Sequence, residues 1–179
     1  LKINYCFSLP NHKTFLIKPI NNLLKKICYP LNDKIIIDPF ANRIHGFSTI
    51  YNDINPNNKV GNNLDAFEFL KSFENESIDG ILFDPPYSLR QLKECYQNIG
   101  LSLTDYHTTS YFHDIKDEIF RILKPGGFVI SFGWNSNGMS KKSRFWKKEL
   151  LIVHHGGVHN DTLALHEIKV QTTLKGGFD

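Results

Sequence analysis

Cysteine is scarce in this chain and scattered. Cys6, Cys28 and Cys95 are odd in number and show no Cys-x-x-Cys spacing. Neither a disulfide framework nor a cysteine-based zinc site is therefore expected. No apolar run approaches the ~18 residues that cross a bilayer, and no signal peptide is visible. The expectation is a cytoplasmic protein with no membrane partner. Charge of one sign is also lacking: the net value is +3, with a pI near 8.7. That balance is compatible with a polyanionic partner but too mild to argue for one by itself. Neither Gly-x-Gly-x-x-Gly nor a Walker lysine is present, which removes the two commonest phosphate cradles. Internal repeats and low-complexity tracts are absent as well.

What is present is material for one substantial core: 179 residues, 41% of them hydrophobic. A single domain over 1–179, without a separate recognition domain, is the expectation. Its centre is Asp84-Pro85-Pro86-Tyr87. The apolar run Ile78 to Phe83 before it reads as a strand buried on both faces, as in a parallel sheet. Two prolines then forbid ladder pairing and fix an extended, rigid turn at the strand's carboxyl end. Open α/β sheets bind ligands at that edge. An acid, a carbonyl without its own N–H and an aromatic ring converge there with little freedom.

Two other strands end similarly. Ile35-Ile36-Ile37 runs into Asp38-Pro39-Phe40-Ala41-Asn42, and Ser48 to Asn52 runs into Asp53. A carboxylate after the second strand suits two ribose hydroxyls, since it can accept both. Asp65 precedes Ala66, Phe67 and Leu70 of a short amphipathic helix, where it also fits an N-cap. Upstream, Ile20, Leu23, Leu24 and Ile27 mark one face of a helix ending near Pro30, with Thr14-Phe15 ahead of it. Downstream, a helix from Tyr111 to Leu123 ends at Lys124-Pro125-Gly126-Gly127 and leads into the strand Phe128 to Phe132. Glu149 to His154 and Leu163 to Gln171 then predict an antiparallel hairpin. Its connector holds His154, His155, His159 and Asp161 without a His-x-x-x-His helix, so no metal site is read there.

These motifs together resemble the S-adenosylmethionine-dependent DNA adenine-N6 methyltransferases of phage and bacteria, the amino-methyltransferases with an Asp-Pro-Pro-Tyr signature. The resemblance implies an α/β, single-domain Rossmann-like methyltransferase fold, with a mostly parallel seven-stranded sheet and an antiparallel last strand. It implies methyl transfer from S-adenosylmethionine to the N6 amine of adenine in DNA, with Asp84, Pro85, Pro86 and Tyr87 at the target base. Cofactor contacts carried over are Thr14, Phe15, Asp38, Phe40, Asp53, Asp65 and Ala66. Asn42 stands where the family usually has glycine, although Asn tolerates positive φ better than most residues.

Nucleic-acid contacts are expected from Arg90 and Lys93 in the polar stretch Ser88–Thr109. A basic run of Lys141, Lys142, Arg144, Lys147 and Lys148 is expected at the same sheet edge. Cytosine-N4 methylation and a non-catalytic cofactor- or DNA-binding module are the alternatives. A homodimer is compatible with any of them.

Overall fold

Strand β4 (Ile78–Phe83) is the axis of the molecule, and its alternation sets the two layers packed on it. In the computed structural model, which describes residues 1–139, 144–157 and 159–170, Leu82 joins Ile20, Leu24, Ile36, Ile130 and Val153 on one face. Ile81 and Phe83 join Ile37, Ile115, Ile119 and Val129 on the other. The first layer is helix α1 (Lys18–Cys28), whose Pro19 sits in its first turn and whose Ile20, Leu23, Leu24 and Cys28 face inward. Proline is at home there, because an N–H in the first turn has no intrahelical acceptor. The opposite layer is built by α2 (Ala66–Lys71) and α5 (Tyr111–Ile122).

Seven strands form one sheet in the order β1-β6-β7-β5-β4-β2-β3. Here β1 is Lys2–Phe7, β2 Ile36–Asp38 and β3 Ile50–Tyr51. The others are β5 (Leu123–Gly133), β6 (Phe145–His154) and β7 (Thr162–Lys169). β7 runs antiparallel to both β5 and β6, and every other pairing is parallel. The mostly parallel sheet with an antiparallel last strand is thus as the sequence predicts. Two details differ. Helix α5 stops at Ile122, because Leu123 already pairs with Ile78, and residues 124–127 bulge out before Phe128 resumes opposite Gly80. The entry segment, with no assigned role in sequence, is the edge strand β1, paired with β6 from Lys2 opposite Glu149 to Phe7 opposite His154.

Gly80 makes room for the ring of its cross-strand neighbour on β5, Phe128. A Cβ there would lie 2.3 Å from Cζ of Phe128. Gly80→Ala is expected to cost about 1–3 kcal/mol through overpacking. An unaltered urea midpoint would show that the Phe128 ring moves aside freely. Among the described residues, no helix is long and apolar enough to cross a membrane.

Candidate active site

The carboxyl ends of β2, β3 and β4 lie side by side, so the loops after them share one rim. A cleft of about 460 Å³ opens there, lined by Phe40, Asp53, Ile54, Ala66, Asp84 and Tyr96 among others. Its size falls within the usual range of small-molecule sites. A small recess adjoins it, formed by Thr14, Phe15, Asp38, Arg43, His45 and Asp84. A second cavity of about 270 Å³ shares Pro85, Pro86 and Tyr87 with the cleft and has Phe112, Lys116, Phe132 and Trp134 in its walls. The proline pair is thus common to both, and Asp84 borders the cleft and the recess.

Asp84 accepts a hydrogen bond from the hydroxyl of Tyr87, and the Thr14 hydroxyl lies nearby. Burial pushes its carboxyl up to about 6, and the nearby Asp38 charge adds to that, while the two hydroxyls work against it. Desolvation disfavours the charged form, so this acid titrates within reach of neutral pH. Burial and the adjacent Asp84 push the Tyr87 phenol up, so it stays protonated and remains a donor. Gln91 Oε1 accepts from Tyr87 N–H at 2.6 Å, and the Tyr87 ring meets Trp134 edge-on at 5.5 Å. Ser88 accepts from Gln91 N–H as the N-cap of α3 (Leu89–Gln97), which fixes the turn out of Tyr87.

The two other strand-end acids differ in exposure. Asp38 is buried, with Oδ1 accepting from Phe40 N–H at 3.0 Å; burial raises its pKa. Asp53 is half-buried and also shifted upward by burial. Its Oδ1 accepts from Asn55 N–H at 2.7 Å, and it stands in the cleft wall. Between them the buried Asn52 bonds the carbonyls of Pro39 and Leu64 and accepts from Leu64 N–H. One amide thus locks together the loops after β2 and β3 and the entry to α2.

Several expected residues have partners that the sequence does not reveal. Thr14 lines both the cleft and the recess, with its hydroxyl near Asp84. Phe15 is a buried ring packed on His45 and Phe132 at 4.6 and 5.0 Å. Asp65 caps α2 through Phe67 N–H and accepts from the hydroxyls of Tyr96 and Tyr111, whereas its neighbour Ala66 is in the cleft wall. Tyr96 is 5% exposed and serves this buried network.

Arg90 and Lys93 are exposed on α3, with Arg90 paired to Glu94 at 2.9 Å. Lys141 and Lys142 lie outside the described residues. The expectation of one basic run at the site edge needs correction for the rest. Phe145 already opens β6, which runs parallel to β5, so Arg144 is at the amino edge, the end of the sheet opposite Asp84. It bonds Asp117 at 2.7 Å and lies over Phe120. Lys147, in β6, donates to the Ser136 carbonyl. His154 pairs with Asp161, and His155 bonds Ser8 and Thr162.

His45 and Asn52 have no sequence signal for their roles, since neither belongs to a spaced motif. Gln91 is legible in part, as the residue three after a Ser N-cap.

No family profile and no curated protein sequence matches the chain. Solved structures do. PH0793 of Pyrococcus horikoshii, designated a transferase, superposes with a TM-score of 0.53 at 14% identity, over 86% of this chain and 63% of that one. HI0767 of Haemophilus influenzae, designated a methylase, gives 0.51 at 10% identity over 86% of this chain and 96% of its own. TrmN of Thermus thermophilus gives 0.50 at 15% identity, and there the chain covers 88% of itself but spans only half the TrmN chain. The sheet order, the antiparallel β7 and these likenesses define a Rossmann-like methyltransferase fold.

Proposed function

We propose that this protein transfers a methyl group from S-adenosylmethionine to the N6 amine of adenine in DNA. The observation that carries the reading is the placement of Asp84 at the sheet's carboxyl edge, next to the proline pair that a cofactor-sized cleft and an aromatic cavity share. The cleft residues fit the cofactor: Asp53 for the ribose diol, Asp38 in the recess for an ammonium, and apolar Phe40, Ile54 and Leu92 along the wall. When bound, that cofactor supplies the electrophilic methyl group.

The rest is done by the chain's own groups. An exocyclic amine is a poor nucleophile because its lone pair is delocalised into the ring. Ionised Asp84 accepts one amine hydrogen and the Pro85 carbonyl the other, which favours a pyramidal nitrogen and concentrates the lone pair. This is electrostatic stabilisation combined with positioning. An incoming amine takes the place that the Tyr87 hydroxyl holds on Asp84, and the ring of Tyr87 is then free to stack on the base. Flipping a base out of a duplex costs roughly a few kcal/mol, and aromatic stacking returns about 1–3 kcal/mol. After transfer the proton leaves through Asp84 or solvent. An acid at the first signature position supports adenine over cytosine.

The test is transfer of labelled methyl to mixed DNA, RNA and protein, followed by nucleoside analysis of the DNA. N6-methyladenine is expected; label confined to N4-methylcytosine, RNA or protein overturns the reading. The exposed cations of α3 are the proposed phosphate contacts. Arg90→Ala with Lys93→Ala is expected to weaken binding to all DNA sequences and to lower the slope of log affinity against log salt by about 1–2. Equal slopes for variant and wild type would leave α3 an ordinary solvated helix.

A further inference from the structure

The loop after β2 has no glycine between Asp38 and Gly46, so its backbone is poorly suited to wrap closely around a ligand. A side chain from the same loop returns to Asp38 instead. His45 is buried at the ring, and its Nε2 lies 2.9 Å from Asp38 Oδ2. Its other nitrogen, Nδ1, accepts from Phe47 N–H at 3.2 Å, so the ring proton is on Nε2 and the imidazole is the donor to Asp38. Three aromatic neighbours hold the ring: Phe15 edge-on at 4.6 Å, Tyr51 edge-on at 4.9 Å, and Phe47 stacked at 5.8 Å. Asp38 Oδ1 is bound by Phe40 N–H, so each carboxylate oxygen has one fixed donor and keeps acceptor capacity.

We infer that His45 is a positioning residue: its Nε2–H fixes the Asp38 carboxylate so that its remaining lone pairs serve the α-ammonium of an amino-acid-bearing nucleoside. The recess shared by Asp38, Thr14, Arg43 and Asp84 is where that end of the ligand belongs. This rests on the cofactor reading above. Electrostatics support the geometry. Burial favours the neutral form of Asp38, and the His45 bond opposes that shift. Without the donor, Asp38 is more readily protonated and offers an ammonium less charge.

The experiment is calorimetric titration of wild type, His45→Phe and His45→Gln with S-adenosylhomocysteine and with 5′-methylthioadenosine, which lacks the amino-acid end. Phe keeps an aromatic ring among Phe15, Tyr51 and Phe47 but has no donor. Gln gives up the ring and offers an amide N–H in place of Nε2–H. His45→Phe is expected to lose about 10- to 100-fold in affinity for S-adenosylhomocysteine and nothing for 5′-methylthioadenosine. His45→Gln is expected to recover most of the loss. Should the Phe variant not fold, His45→Leu carries the same arm. Undiminished affinity of the donorless variant, equal losses for both ligands, or a Gln variant as weak as Phe overturns the inference. A wild type that binds neither ligand is a different result, and it removes the cofactor reading together with this one.

Discussion

Asp84→Asn is expected to lower methyl transfer by about a hundred- to a thousandfold while leaving S-adenosylhomocysteine affinity near that of wild type. The amide oxygen still accepts from Tyr87, the hydroxyl that holds the carboxylate in place. It lacks the charge that draws on the target amine, so the loss reports chemistry and not local collapse. Near-normal turnover in that variant would falsify the catalytic assignment.

The same residue links activity to pH. With its carboxyl pushed up to about 6, transfer in the wild type is expected to fall along an acid limb near that pH, as the ionised form disappears. The effect on stability has the opposite direction. Between roughly pH 4 and 6 the folded chain holds the Asp84 proton more tightly than the unfolded chain, so stability decreases as pH rises through that window. A shift from 3.8 to about 6 corresponds to ~3 kcal/mol at neutral pH. Asp84→Asn removes that cost, and its thermal midpoint is expected above that of wild type at pH 8 and close to it at pH 4. Asp38, Asp53 and Glu167, also raised by burial, are present in both proteins, so the difference reports Asp84 together with its coupling to the nearby Asp38. Coincident melting curves at pH 8 would mean that Asp84 is well solvated.

Asp53→Ala carries the second large effect, on binding. Loss of a half-buried acceptor strands two ribose hydroxyls in the cleft and is expected to cost about 1–3 kcal/mol, or roughly ten- to a hundredfold in cofactor affinity. The residue also accepts from Asn55 N–H in the turn after β3, so Ala removes two functions at once. Asp53→Asn separates them. The amide oxygen keeps the turn but has no carboxylate for the diol, and an intermediate loss is expected. Titration with S-adenosylhomocysteine decides this: an unchanged dissociation constant for both variants returns Asp53 to the role of turn residue.

Much of this fold is written locally. Ile35-Ile36-Ile37 and Ile81-Leu82-Phe83 are apolar without interruption, which only a strand covered on both faces requires, and each is followed by an acid and a proline that end the pairing. Both acids were therefore identifiable as edge residues before any contact was known. The hairpin of β6 and β7 was legible for a similar reason, two apolar runs around a short polar connector. Its start was not: Phe145 to Lys148 carries the charges of a solvated surface, and only pairing with β7 draws it into the sheet.

The partners of the acids were decided by tertiary structure alone. Asp65 reads equally well as a ligand contact and as a helix cap. The hydroxyls of Tyr96 and Tyr111, 31 and 46 residues away in the chain, are what occupy its carboxylate. Thr14 shares the recess with Asp84 only because α1 covers one face of the sheet and brings the turn before it to the same rim. A hydrogen bond between side chains far apart in sequence leaves no periodicity, since either partner alone is an ordinary polar residue. The sequence by itself determined which strands end in acids. The packing of α1, α3 and α5 on those strands determined which acids are enclosed, which are held, and which face the cleft.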